Sequence, residues 1–166
     1  MGTKQRAQII MTDAEIAGFI AAERTGTLAT IGRDGQPHLT AMWYAVLDGE
    51  IWLETKAKSQ KAVNLRRDPR VSFLVEAGQT YDTLRGASFE GVAEIVDDPA
   101  TLLRVGISVW ERYTGPYTEE MRPGVDAMMN NRVAVRIAAA RTRSWDHRKL
   151  GLPAMPLAGS TAPAGA

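Results

Sequence analysis

The sequence predicts a mainly β (α+β) chain in which six or so mostly antiparallel strands form a small closed or half-closed barrel with flanking helices. Three observations carry this. Runs of strand length at 26–31, 37–47, 51–55, 70–76 and 87–96 are rich in Thr, Val, Ile, Leu and aromatic residues. Arg33-Asp34-Gly35 and Asp48-Gly49 separate the first three runs, and Asp-Gly between such runs is a strong hairpin signal. No G-x-G-x-x-G follows the first strand and helices do not alternate regularly with strands, so a parallel dinucleotide-binding sheet is not expected.

The elements follow in order. Thr12-Asp13-Ala14-Glu15 spells a capping box, so a helix is expected to about Glu23 with Ile16, Phe19 and Ile20 on its buried stripe. Residues 58–67 read as a short helix stopped by Asp68-Pro69, because proline pushes its predecessor out of helical geometry. The stretch 78–84 has no period, and Gly91 is expected to make a bulge in the strand over 87–96. Asp98-Pro99 opens a helix to about Tyr113 that buries Leu102, Leu103, Ile107 and Trp110, and Gly115-Pro116 ends it. A helix over 119–130 is interrupted by Pro123-Gly124, and Val133, Val135 and Ile137 alternate as a last core strand running toward Trp145. Residues 1–11 read as an N-terminal tail, 12–150 as one domain, and 151–166, rich in Gly, Pro and Ala, as a C-terminal tail, mobile or draped on a neighbour.

Composition narrows the chemistry. The 166 residues carry 20 Lys+Arg against 19 Asp+Glu. That balance argues against general nucleic-acid binding, so any anion site has to be local. Cysteine is absent, which removes disulfides, thiol nucleophiles and Cys-ligated metals, and His38 and His147 lack any metal-ligand spacing, so no metal site is expected. No apolar run approaches the roughly 18 residues that cross a bilayer. Residues 1–8 lack the hydrophobic segment of a signal peptide, so a cytoplasmic protein without a membrane partner is expected.

The most informative segment is Thr55-Lys56-Ala57-Lys58-Ser59-Gln60-Lys61, where a hairpin strand ends and a helix begins. A helix N-terminus offers unpaired amides and partial positive charge, Thr55 and Ser59 add hydroxyls, and Lys56 and Lys61 add charge, a set that suits a phosphate. An ordinary Ser-capped helix with solvated lysines fits the same spacing. In the second strand, alternation places His38, Thr40, Met42 and Tyr44 on one face and Leu39, Ala41, Trp43 and Ala45 on the other. His38 has no carboxylate at a recognisable spacing and reads as a surface or hydrogen-bonded strand histidine. Successive strand residues point to opposite faces, so the Ser144-Trp145-Asp146-His147 run does not make a catalytic triad.

The run Thr55 to Lys61, followed by Asn64-Leu65-Arg66-Arg67-Asp68-Pro69-Arg70, resembles the cofactor-phosphate segment of the pyridoxamine 5′-phosphate oxidase-like split β-barrel proteins. Gly26-Thr27-Leu28-Ala29-Thr30, Asp34-Gly35-Gln36-Pro37-His38 and Met42-Trp43-Tyr44 resemble the first two barrel strands of that family. The resemblance runs from about Thr12 to Leu150 and is most similar to the branch of deazaflavin-dependent reductases that use coenzyme F420. It implies an FMN-binding-like split barrel, a homodimer with cofactor sites between subunits, and hydride transfer between F420 and an unsaturated small-molecule substrate, with no side-chain catalytic residue required. The alternatives are an FMN-dependent oxidoreductase and a non-catalytic binder of deazaflavin, flavin or haem.

As the resemblance implies, Thr55, Lys56, Lys58, Ser59, Gln60 and Lys61 hold the phosphate end, and Thr40, Ala41, Met42 and Trp43 border the ring, with Trp43 either a flat wall or a core residue. Trp145, Arg148 and Lys149 are candidates to complete the neighbour's pocket, and Tyr81, Arg85 and Tyr117 fall on expected loops at the substrate mouth. The FMN oxidases place Arg-Lys after the serine where this chain has Gln60-Lys61, which removes a guanidinium fork from the phosphate. The F420 tail of linked glutamates favours a longer positive track, for which Lys56, Lys58, Arg66 and Arg67 are candidates; Arg66 and Arg67 also suit a helix C-terminus. The F420 branch commonly has proline where Ala41 stands.

Overall fold

A computed structural model describes residues 2–157, the side chains of residues 2–4 excepted. Seven strands, β1 (Gly26–Ile31), β2 (Pro37–Met42), β3 (Ala45–Leu47), β4 (Glu50–Lys56), β5 (Arg70–Ala77), β6 (Arg85–Val96) and β7 (Arg132–Asp146), form one sheet in the order β2-β1-β5-β6-β7-β4-β3. Every neighbouring pair is antiparallel. Helices α1 (Gly2–Gln8), α2 (Asp13–Ala22), α3 (Gln60–Arg67), α4 (Pro99–Tyr113) and α5 (Arg122–Met129) flank it. None of the described helices is long and apolar enough to cross a membrane.

The two edge strands, β2 and β3, are consecutive in the chain and joined by Trp43 and Tyr44 alone. From Met42 to Ala45 the chain reaches at most about 11 Å. A flat sheet of this many strands would hold its edges roughly 29 Å apart. The sheet must therefore curl until its edges meet at this link, which gives a half-barrel split along the rest of the seam. Inside the curl, Leu28, Leu53, Phe73, Val75 and Val135 are fully buried, closed off by Phe19 and Ile20 of α2. A second core lies on the other face, where Val105 and Val109 of α4 pack with Val125 and Met129 of α5 over Ala45 and Ala134.

Tyr44 holds the seam. Its ring is fully buried and meets Phe73 edge-on at 5.5 Å between centroids. Its hydroxyl faces the carbonyls of Ile20 at 2.7 Å and Glu23 at 3.0 Å, which the end of α2 leaves without helical partners. Arg112 lies over the Tyr44 ring at 4.7 Å and donates to the same two carbonyls, so a cation caps the negative end of α2.

The remaining differences from expectation have local causes. The run 37–47 is two strands because the chain changes edge at Trp43-Tyr44. At the bulge, pairing steps from Glu90 with Arg141 to Gly91 with Ala139, so the extra residue is Ala140 on β7. Gly91 is needed opposite it, since a Cβ there would lie 2.0 Å from the Ala138 carbonyl oxygen. Pro123 sits in the first turn of α5 and starts that helix instead of interrupting one. The segment expected as an N-terminal tail carries α1, buries Met11, and accepts a hydrogen bond from Asp146 N at Ile9 O, 2.7 Å. Residues 151–157 have no regular structure and are exposed; the rest of the expected C-terminal tail lies outside the described residues.

Burial pushes the Tyr44 phenol up to about 12. An unfolded tyrosine titrates near 10, so the fold favours the neutral form. That contribution is complete below pH 10 and is lost as pH rises to 12, by up to about 3 kcal/mol. Tyr44→Phe is expected to cost about 1–2 kcal/mol at pH 7. Urea denaturation at a series of pH values should show the gap between the two proteins shrinking from pH 10 to 12.

Candidate functional site

The candidate phosphate segment begins where β4 leaves the sheet. Thr55 is buried and pairs with Val133 of β7, Lys56 turns outward, and Ser59 caps α3 with its side chain accepting from Ala62 N. The Thr55 and Ser59 hydroxyls lie 3.1 Å apart, so the two predicted donors do converge. Ser59 N donates to Lys56 O at 2.9 Å and Ala57 N to Asn131 O at 2.9 Å, which fixes the approach to the helix. Arg66 folds back to donate to Ala57 O at 2.6 Å, and Arg67 donates to Ile31 O. Both arginines expected at the helix end therefore also tie α3 to its surroundings.

The cations of this corner differ from those along β7 in their partners. Arg70, Arg85, Arg104, Arg122, Arg132, Arg136, Arg141, Arg143, Arg148 and Lys149 all form ion pairs. Lys56, Lys58 and Lys61 form none among the described residues. Three lysines without ion-pair partners beside a helix N-terminus give this corner the kind of chemistry that suits an anion.

The ring-side candidates divide between two faces. Thr40 and Met42 point into the curl, and Met42 packs on the main core. Ala41 and Trp43 face outward, and Trp43 is 56% exposed. Trp43 is thus not a core residue: its ring stacks on Tyr113 at 4.3 Å and 4° and is otherwise largely exposed. Four side chains on two faces cannot all meet one flat ring. The feature they share is the backbone of β2, an edge strand with one side unpaired.

Beside α3 lies a cleft of about 540 Å³ lined by Gly32, Arg33, Asp34, Gln36, Pro37, His38, Gln60 and Asn64. Its floor is a polar chain: Gln60 donates to Asn64 at 2.9 Å and Asn64 to Thr30 at 3.0 Å, with Thr30 and Asn64 both fully buried. Sequence reasoning missed this pair. Asn64, next to the apolar Leu65, hinted at a buried polar position on α3, but nothing in the spacing names Thr30 as its partner. His38 also departs from expectation, because its Nδ1 is buried without any hydrogen-bond partner.

The pyridoxamine 5′-phosphate oxidase family profile matches residues 12–146. The chain belongs to this family. It is similar to the conserved hypothetical protein Rv2991 from Mycobacterium tuberculosis, with 78% identity, 95% of this chain and 99% of that chain covered, and a TM-score of 0.93. It is also similar to an F420 reductase, with 31% identity, 75% and 93% covered, and a TM-score of 0.57. A haem storage protein from Vibrio cholerae shares the fold at 18% identity, with 80% and 95% covered and a TM-score of 0.63. Family membership fixes the barrel; the chemistry is set by the site built on it.

In this oxidase-family barrel the C-terminal candidates stand far from the lysines. β7 carries Arg132 opposite Lys56 at one end and Trp145 opposite Gly86 at the other. That separates them by about 40 Å along the strand. Arg148 is bound to Asp146 at 2.5 Å and holds its carboxyl below the usual range, and Lys149 bonds Glu15 and Ile10 O. Arg85 begins β6, paired with Glu23, rather than lying on a loop. Tyr81 meets His147 edge-on, and the Tyr117 hydroxyl donates to Glu119.

Thr30→Val or Asn64→Leu alone strands a buried polar partner and is expected to cost about 1–3 kcal/mol. The double variant Thr30→Val with Asn64→Leu should cost less than the sum, and a double-mutant cycle in urea measures that coupling.

Proposed function

We propose that this chain is an oxidoreductase that holds coenzyme F420 by its phosphate at the start of α3 and passes hydride between it and an unsaturated small molecule. The observation that carries the reading is the cluster of Thr55, Ser59, Lys56, Lys58 and Lys61, with its hydroxyls converged and its cations uncompensated. The residues fit the group: a phosphate supplies the acceptors that the first amides of α3 and the lysines lack.

Each part of the chain has a task in this reading. Ser59 and the α3 amides bind the phosphate, while Lys56, Lys58 and Lys61 neutralise it. The unpaired edge of β2, from Thr40 to Met42, offers main-chain donors and acceptors to a flat ring, and the exposed ring of Trp43 gives it an apolar wall that excludes water. The Ala45–Trp52 register puts Trp43 and Thr55 at the same end of the β3–β4 hairpin, away from its Asp48-Gly49 turn. A reduced deazaflavin supplies the hydride itself, so the protein's contribution is orientation. A second copy of the chain is proposed to cover this face and to bring its own Trp145 and Arg148 to the site.

FMN is the second reading, because the same cluster serves its phosphate. Gln60 favours F420: it stands where the FMN oxidases place arginine, and its amide is committed to Asn64.

Titration of the purified protein is expected to give micromolar F420 affinity, on the order of −8 kcal/mol. Lys61→Ala and Ser59→Ala should each weaken it about tenfold or more, by loss of a charge-assisted or capping contact. Unchanged affinity in both variants would move the site elsewhere, and tighter FMN binding would favour the second reading. Oxidation of reduced F420 by a panel of quinones and enones tests turnover.

A further inference from the structure

We infer that the cleft between the β1–β2 turn and α3 is a carboxylate subsite, distinct from the phosphate cluster on the other side of Gln60. The first observation is His38. Its Nδ1 is buried and unpartnered, while the residue lines the cleft and its Nε2 is not among the buried atoms that lack a partner. A buried N–H without an acceptor is rarer and costlier than a buried lone pair. A neutral ring therefore carries its proton on Nε2, which makes that nitrogen the donor available to a ligand of the cleft.

The second observation is charge. Arg33 lines the same cleft and forms no ion pair among the described residues. Arg67 adds a further cation at Ile31 O, one residue from Gly32. Asp34 is the only carboxylate in the described lining, and its Oδ1 accepts Gln36 N at 3.1 Å within the turn. The balance at the rim stays positive. A guanidinium fork with one further N–H matches the two oxygens of a planar carboxylate.

The third observation is the floor. Asn64 is fully buried, held by Gln60 on one side and Thr30 on the other, so the wall beneath the ligand is rigid. At about 540 Å³ the cleft exceeds what one carboxylate needs, so the group arrives attached to a larger molecule. Gln60 directly follows Ser59, and a ligand extending past its phosphate would enter here. The subsite stands independently of the phosphate reading; its assignment to the same ligand rests on that reading.

The test uses the full chain labelled with ¹⁵N, with glutarate and inorganic phosphate as probes. Glutarate should move the His38 ring, Arg33 Nε–H and Gln60 side-chain signals, and its affinity should fall at least fivefold in Arg33→Ala and in His38→Ala, with partial recovery in His38→Gln. Phosphate should move the Ser59 to Ala62 amides equally in all of these proteins. Glutarate shifts confined to Ser59–Ala62, or affinity unchanged in both alanine variants, would overturn the subsite. To find the source of the carboxylate, F420 is compared with an analogue ending at the phosphate. A fivefold loss in Arg33→Ala for F420 alone supports one ligand spanning both sites. No loss for either, with glutarate binding abolished, overturns that assignment and leaves a free acid as the occupant. Failure of both cofactor forms to bind the wild type overturns the phosphate reading, while the glutarate arm still decides the subsite.

Discussion

The short link between β2 and β3 governs the molecule. Two strands at opposite edges of one sheet are separated in sequence by Trp43 and Tyr44, and the chain cannot span a flat sheet in that distance. Curling is thus imposed by connectivity before any side chain is considered. The side chains then decide where the edges meet. Tyr44 N donates to the Tyr113 hydroxyl at 2.9 Å, and that hydroxyl also reaches Arg24 O and Tyr44 O. The C-terminal helix pair and the end of α2 are drawn to the same point, which leaves Trp43 stacked on Tyr113 and otherwise largely exposed.

Charge is placed with the same economy. A chain of formal charge +1 has little long-range field. The proposed anion site depends on where pairing is withheld. Along β7, Arg132 meets Glu54, Arg136 meets Glu50 and Glu94, and Arg141 and Arg143 meet Glu90. These pairs are partly exposed, so each contributes little stability, but together they remove positive potential from the sheet. Around α3, Lys56, Lys58 and Lys61 keep no ion-pair partner among the described residues, and a helix N-terminus adds to their charge.

Much of the fold was legible in the sequence because its signals are local. The Thr12–Glu15 capping box, the Ser59 and Asp98 caps and the Asp48-Gly49 turn each depend on residues a few positions apart, and each is present. The Thr55–Ser59 convergence was legible for the same reason. The features that escaped are products of long-range closure. Nothing in the spacing of Asn64 and Thr30 announces a buried bond between residues 34 positions apart, nor does Trp43 announce its stacking on Tyr113. The bulge lay between these cases: Gly91 marked the place, but the extra residue belongs to the facing strand, which local sequence does not reveal.

The length of β7 bears on the proposed dimer. Within one protomer, Trp145 stands near the opposite end of β7 from the residue facing Lys56, with Arg148 just beyond the strand, so their joint role with the lysines is proposed to use a second copy. The surface such a copy would cover is the outward side of β2, where Leu39 is 64% exposed beside Ala41 and Trp43. Leaving a side chain of Leu39's size in water forgoes roughly 1.5–3 kcal/mol of burial. The two C-terminal candidates are not equivalent in that arrangement. Arg148 is already bound to Asp146, and reaching an anion means sharing that partner. Trp145 lies so close over Gly86 that an added Cβ would come within 2.3 Å of its ring. Its orientation is fixed in advance, and a ring that loses no further freedom on contact is the better anchor across an interface.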